Sequence, residues 1–446
     1  PADAAITLLR SSLAGDVDPI AAAQVVEATG GNPLALIDLA TELTAKQLTE
    51  SSFADEPLPI GPSLESHYLR QVRQLSDAGQ QWLVIAAADS TGNLDLIAAA
   101  ADALDLPADV ADEAEDVGLV NLGEAVAFRH PLVRSAAYNA ARGPARRRVH
   151  AALADASERL GLVELEAWHA ARATLGTDAA VADRLELVAD LAGGRGGLSS
   201  RARVLQQASA LTPPGRLRNT RLVAAAEAAI GAGAAQLATD LLDEVDEASL
   251  DRPWLGRLVA LRATIAMFTA DPEIKRSGAE MLRAAELLHD DDPDRAQHAL
   301  MKAFDFTLPP ERMAEGTTLE ELGQRLHEGA ELQDGSAASI LRGLSALILL
   351  PHEEAVPVMR RAVDVILAMG TEDLLRYGTS SVALATALWD ADARRECLLR
   401  TAAAARDVGS LQQLDTALWI LSLAEVHGGS PRRAAEAMEQ VREIRR

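Results

Sequence analysis

The spacing of helix breaks decides what this chain can fold into. From Gly143-Pro144 to Arg446, apolar stripes of helical period run in segments of about 12 to 18 residues. They are parted by Gly193-Gly194, Thr212-Pro213-Pro214-Gly215, Asp290-Asp291-Asp292-Pro293, Pro309-Pro310 and Gly428-Gly429-Ser430-Pro431. The segments recur as pairs about every 35 to 40 residues, the period of stacked two-helix units in a solenoid. Several pairs have tetratricopeptide-like texture, with small residues where the first helix ends and Ala and Leu on one stripe of the second. Ala229-Ile230-Gly231-Ala232-Gly233 leads into Leu237, Ala238, Leu241 and Leu242, and Leu423-Ala424 leads across Gly428-Gly429 into Ala434, Ala435 and Met438. Residues 143–446 are therefore expected to form an α-solenoid, and the whole chain to be mainly α.

Two segments precede the solenoid. Residues 1–55 read as two or three short helices, with Ile6, Leu8, Leu9 and Leu13 on one stripe. Three prolines in Asp55-Glu56-Pro57-Leu58-Pro59-Ile60-Gly61-Pro62 forbid a helix, so 56–62 is a linker. In 63–142, helices are expected near 63–76, 78–88, 93–103 and 107–116. The runs Val117–Leu122 and Ala125–Phe128 then turn about Gly123-Glu124 as a β-hairpin, and Pro131–Ala141 is helical. Helices with a terminal hairpin describe a small winged-helix domain.

Charge and motif absences narrow the function. A formal net charge of −24 opposes the phosphate backbone of a nucleic acid. The single Cys397 excludes an internal disulfide and a cysteine zinc site. No stretch approaches the ~18 apolar residues of a membrane span, and a cytoplasmic protein is expected. The start Pro1-Ala2-Asp3, without Met or signal pattern, is expected of a piece of a longer protein. Lys46, Lys275 and Lys302 follow Ala, Ile and Met, so none is the lysine of a phosphate-binding loop. Metal-protease, hydrolase and dinucleotide motifs are absent too, and the chain by itself is not expected to be an enzyme.

Two helix starts stand out. In Gly30-Gly31-Asn32-Pro33-Leu34-Ala35-Leu36, Asn32 is placed to cap and Pro33 to occupy the first turn. In Phe128-Arg129-His130-Pro131-Leu132-Val133-Arg134, His130 and Pro131 take the same places. Helix N-termini favour anions, so either could meet a phosphate.

The pair, with Gln24–Leu36 and the continuation through Ser135-Ala136-Ala137-Tyr138 to Arg146-Arg147-Arg148-Val149-His150-Ala151-Ala152-Leu153, resembles the large LuxR-type transcriptional regulators related to MalT, of the STAND ATPase class. The resemblance is clearest over residues 1–215, and it implies that residues 1–55 are the helical lid of the ATPase. It implies a P-loop ATPase upstream and a DNA-binding helix-turn-helix downstream, neither present in this sequence. It also implies that Pro33 packs on adenine and that His130 contacts the β-phosphate of bound ADP, with ATP and Mg held through the upstream ATPase. The repeats would take a protein or small-molecule effector, and activation would bring self-oligomerisation. On this reading the winged helix is an intramolecular clamp that does not bind DNA. The alternative is a standalone helical-repeat adaptor with a degenerate front end.

Other residues read as structural. Arg142, Arg146, Arg147 and Arg148 with His150 fit a solvated, salt-bridged helix face. The acidic runs 109–116 and 240–247 lack calcium-loop spacing and read as solvated faces. Trp82, Trp168, Trp254, Trp389 and Trp419 are assigned to core packing, Trp168-His169 receives no chemistry, His352-Glu353-Glu354 opens a helix, and Cys397 is expected to be buried.

Overall fold

In the computed structural model the described residues are 2–13, 19–29, 31–42, 69–194, 197–269, 271–308, 310 and 313–444. The expected linker 56–62, the remainder of the lid and the helix start at 63 lie outside them. The chain forms two compact units, Pro1–Gly193 with Ser199–Pro214, and Gly194–Leu198 with Gly215–Arg446.

The first unit opens with helices α1 (Ala2–Ser12), α2 (Pro19–Ala28) and α3 (Pro33–Glu42). Leu9, Val25, Leu36 and Leu39 are buried among them. The winged-helix part follows with α4 (Asp77–Ala88), α5 (Leu94–Asp102) and α6 (Val110–Asp116). Ser76 starts α4 by accepting the Gly79 N–H, and is itself fixed by the Glu113 carboxylate, which accepts from its backbone N–H at 3.0 Å and its hydroxyl at 2.8 Å. Glu115 accepts from the Leu122 N–H at 2.8 Å. Part of the acidic run read as solvated thus ties α6 to its neighbours.

Strands β1 (Val120–Leu122) and β2 (Val126–Phe128) pair antiparallel with Val120 opposite Phe128 and Leu122 opposite Val126. The Val126 N–H also bonds the Gly92 carbonyl at 2.8 Å. Gly92 has φ 68°, and a Cβ there would lie 2.5 Å from the Val126 oxygen, so only glycine fits this approach. Helix α7 (Pro131–Ala140) packs on α4, and α8 (Gly143–Arg159) packs on α4 and α5. One apolar core joins Trp82, Leu83, Ile85, Leu96, Val120 and Tyr138 to Val149, Leu153 and Ala156 of α8. The first helix past residue 142 therefore shares the winged-helix core. Helices α9 (Val163–Ala173), α10 (Ala179–Gly194) and α11 (Leu198–Leu211) follow.

The second unit is a succession of antiparallel helices: α12 (Arg216–Gly231), α13 (Ala235–Asp243), α14 (Arg252–Thr269), α15 (Ser277–Leu288), α16 (Pro293–Thr307), α17 (Leu319–Gly329), α18 (Ser336–Leu349), α19 (His352–Ala368), α20 (Thr371–Tyr377), α21 (Ser381–Ala387), α22 (Ala391–Asp407), α23 (Leu411–His427) and α24 (Pro431–Ile444). Successive long helices pack against each other. Leu237, Ala238, Leu241 and Leu242 are buried as their spacing predicts, and so is Cys397. Close approach needs small residues: a Cβ on Gly343 would sit 2.7 Å from that of Ala362 on α19. The protein is mainly α with one two-stranded sheet among the described residues, and its second unit is a helical repeat. No described helix is long and apolar enough to cross a membrane.

Two further expectations fail. Core packing does not account for all the tryptophans: Trp82 is 3% exposed, but Trp389 is 93% exposed in a turn and Trp419 39%. The arginine run is not a uniform solvated face either. Arg146 lies over the Tyr138 ring, 5.2 Å from its centroid. His150 is buried, because α8 turns its 149, 153 and 156 stripe into the core and carries residue 150 with it.

Candidate functional site

His130 is the N-cap of α7, with extended backbone (φ −148°, ψ 140°) and Pro131 following in the first turn. Its Nδ1 accepts the Leu132 N–H at 3.1 Å, so a neutral ring carries its proton on Nε2. The Val133 N–H bonds the His130 carbonyl at 2.9 Å. Two backbone donors of this helix start are thereby engaged, and the cap bond fixes the tautomer of the neutral imidazole. Arg134 fixes the helix against α4, donating from Nε to the Ala87 carbonyl at 2.9 Å and from Nη2 to that of Asp89 at 3.4 Å. Asp89 is buried and holds the next turn through Thr91 and the Asn93 N–H.

Behind His130 lies a polar chain that sequence reading missed. Tyr138 Oη is 2.9 Å from His150 Nε2, and His150 Nδ1 is 3.0 Å from His169 Nδ1. His150 is 2% exposed and His169 1%. Two protonation patterns satisfy the chain. Either Tyr138 donates to His150, which donates to His169, or every donor reverses. In both, His169 Nε2 is buried without a hydrogen-bond partner. Burial, with the neighbouring His169 and Arg146, lowers the His150 pKa to about 3. Burial lowers that of His169 to about 4, against the opposing pull of Asp89. Burial also raises the Tyr138 hydroxyl to about 12. Both rings are neutral at pH 7. The two histidines stand on successive helices, too far apart along the chain for any local pattern to pair them.

Pro33 is exposed at the first position of α3. Gly31 before it has φ 66°, and its N–H reaches the Val26 carbonyl at 2.8 Å, closing α2. The Leu36 N–H bonds the Asn32 carbonyl at 3.1 Å, which makes Asn32 the capping residue by backbone. Both predicted positions are thus real helix starts, each in its own helix group of the first unit.

The second unit holds a separate polar cluster. Asp294, His298, Lys302 and Asp305 share one face of α16. Arg376 Nη1 lies 2.8 Å from Asp294 Oδ2, and the Tyr377 hydroxyl donates to Asp294 Oδ1 at 3.3 Å. Lys302 Nζ is 3.4 Å from both Asp305 Oδ2 and Thr379 Oγ1. The His298 ring stands edge-on to Tyr377 at 6.0 Å, its Nε2 buried and without partner. Burial, then Lys302, Arg376 and Arg295, lowers the His298 pKa to about 3. Burial raises the Asp305 carboxyl despite Lys302. Nearby, a cavity of 250 Å³ is lined by Arg252, Glu286, His289, Arg325 and Leu332. It falls short of the ~300 Å³ at which drug-sized pockets begin. Among the described residues no three His, Cys, Asp or Glu side chains form a metal-holding group.

No known protein family and no curated protein matches this chain in sequence. Two solved structures align over 99% of it. One is a Signal Transduction ATPase with Numerous Domains (STAND) protein with a tetratricopeptide repeat sensor from Pyrococcus horikoshii, at 13% identity, TM-score 0.33 and 66% of that protein's length. The other is a circular tandem repeat protein with novel repeat topology, at 15% identity, TM-score 0.13 and 96% of its length. Superpositions this loose carry no weight, and the chain spans just under two thirds of the STAND protein. By its own helices and contacts it is a helical-repeat protein with a small helix-and-hairpin domain at its front.

Proposed function

We propose that this chain is the regulatory portion of a nucleotide-switched ATPase that controls transcription, working with a P-loop domain carried on other sequence. Pro33 and His130 contact ADP in the resting state, the winged helix acts as the clamp, and the repeats receive the effector. His130 carries the proposal: its cap bond commits Nδ1 to Leu132 and so puts the ring proton on Nε2, the form that donates to a phosphate oxygen. The polar face around His298 offers the second unit's chemistry for a hydrogen-bonding effector, and Mg would be held by the P-loop domain.

The test is ADP binding by the protein with its P-loop domain in place. A hydrogen bond to a charged group contributes about 1.5–3 kcal/mol, so His130→Ala should weaken ADP by about 10- to 150-fold. Unchanged affinity in a folded variant would refute the clamp. The adaptor reading is favoured by the exposed apolar side chains of the last helices, and loss of all nucleotide response with retained partner binding would select it.

A further inference from the structure

Residues 125–154 carry six arginines and no carboxylate, in a protein of net charge −24. Arg134 is engaged by the carbonyls of Ala87 and Asp89. Among the described residues no carboxylate pairs with Arg129, Arg142, Arg146, Arg147 or Arg148. The other arginine-rich stretch, 191–226, is different. Its Arg201 meets Asp190 at 3.1 Å, and Arg216 and Arg218 meet Asp251 and Glu244, each at 2.8 Å. Like charges held together repel one another and weaken the fold that holds them. With 66 acidic residues against 42 basic ones, carboxylates to neutralise these arginines are plentiful, yet none is placed beside them.

Four of the five stand at the start of α8. Arg142 and Arg148 are exposed, and Arg146 and Arg147 are half-buried. Arg142 and Arg146 lie about one helical turn apart, ~6 Å along the axis, while Arg146, Arg147 and Arg148 leave the helix at successive steps of about 100°. Such a fan does not converge on one small anion. It makes a strip about 9 Å long, with Arg146 braced over the Tyr138 ring. No large apolar side chain is exposed between Gly118 and Arg159. Contact on this strip is therefore made by guanidinium groups, whose paired N–H donors match carboxylates and phosphates.

The length of the strip separates those two. A nucleic-acid duplex carries a charge about every 1.7 Å of its axis and runs on past so short a patch. It would then meet Asp105–Asp116, six carboxylates and no cation, on elements that share one core with α8. An extended polypeptide advances about 3.3 Å per residue, so alternate side chains stand about 6.6 Å apart, close to the rise from Arg142 to Arg146.

We propose that this strip of α8 docks an extended, carboxylate-rich segment of a protein partner, acidic at alternate positions. Arg142 and Arg146 each take one carboxylate, and Arg147 and Arg148 flank them. The inference does not depend on nucleotide binding.

Fluorescence anisotropy of a short labelled peptide of alternating glutamate and serine, titrated with the whole chain at low salt, tests it. The wild type should bind the peptide, and added salt should weaken the binding. The double variant Arg142→Glu, Arg148→Glu should raise the dissociation constant at least about 10-fold. Neither side chain holds a bond or ion pair, so the reversal leaves the fold intact. Arg432→Glu with Arg442→Glu changes the net charge equally at exposed sites in the second unit, and should alter the affinity by less than about twofold. A wild type that ignores the peptide overturns the proposal. So do two double variants that weaken binding alike, or a single-stranded oligonucleotide of the same charge that binds the wild type more tightly than the peptide does.

Discussion

Mild acid should destabilise the first unit, and His150 with His169 should cause it. Both pKa values are depressed in the folded state, to about 3 and about 4. In the unfolded chain both return to ~6.5. Below that value the unfolded state binds protons that the native state refuses, so stability falls as pH falls, beginning near 6.5 and levelling off below the folded values. Between pH 7.5 and pH 5 each histidine should remove about 2 kcal/mol, and the pair about 4 kcal/mol. Both rings are buried, so solvent screening does not dilute the effect. Urea unfolding at the two pH values measures it, in wild type and in His169→Gln. The variant will be less stable at pH 7.5, yet its loss on going to pH 5 should be smaller than the wild type's by about 2 kcal/mol. Parallel losses, within about 0.5 kcal/mol, would refute the claim that the core holds His169 neutral.

Other perturbations separate strong contacts from weak ones. Tyr138→Phe removes the hydroxyl from His150 Nε2 in the core. It should cost about 1–3 kcal/mol, whereas the double variant Tyr138→Phe, His150→Leu should cost less than the sum, a coupling that a thermodynamic cycle measures directly. Gly92→Ala forces a Cβ to 2.5 Å from the Val126 oxygen at positive φ. In chemical denaturation it should lower first-unit stability by about 2 kcal/mol or more. Glu425, buried between Arg395 at 2.6 Å and Arg433 at 2.8 Å, should lower the melting temperature of the second unit when changed to Ala. Glu439 pairs with Arg442 in solvent. Its change to Ala should alter stability by no more than about 0.5 kcal/mol.

What the sequence disclosed follows from which forces are local. Helix starts at Ser76, Asn93, Asp292 and Thr318 are set by a side chain reaching a few residues along, so caps and breaks locate elements well. The hairpin was visible too, although its strands shrink to three residues because Gly118 closes α6 and Val117 does not join β1. Of the candidate site, only the helix starts Asn32-Pro33 and His130-Pro131 were legible, each a local motif. The His150–His169 contact spans 19 residues and Arg376–Asp294 spans 82, and no periodicity marks either. Trp389 was misread for a different reason: composition says that tryptophan is apolar, but not that its backbone sits in the left-handed turn where a helix ends.

The polar chain in the first unit also bears on what kind of order this core needs. Tyr138, His150 and His169 are buried where leucine or phenylalanine would leave no polar group to satisfy. His169 Nε2, buried without a partner, adds to the cost, by about 1–3 kcal/mol for a group of this kind. Stability alone does not account for the arrangement. Apolar side chains tolerate a helix sliding by a fraction of a turn, but bonds of 2.9 Å and 3.0 Å do not. The chain takes one group from each of α7, α8 and α9, and so fixes the register of the helix that His130 heads against the two helices that follow it. Displacing α7 would break the Tyr138–His150 bond and strand a second imidazole nitrogen in the core, which makes the position of α7 all-or-none.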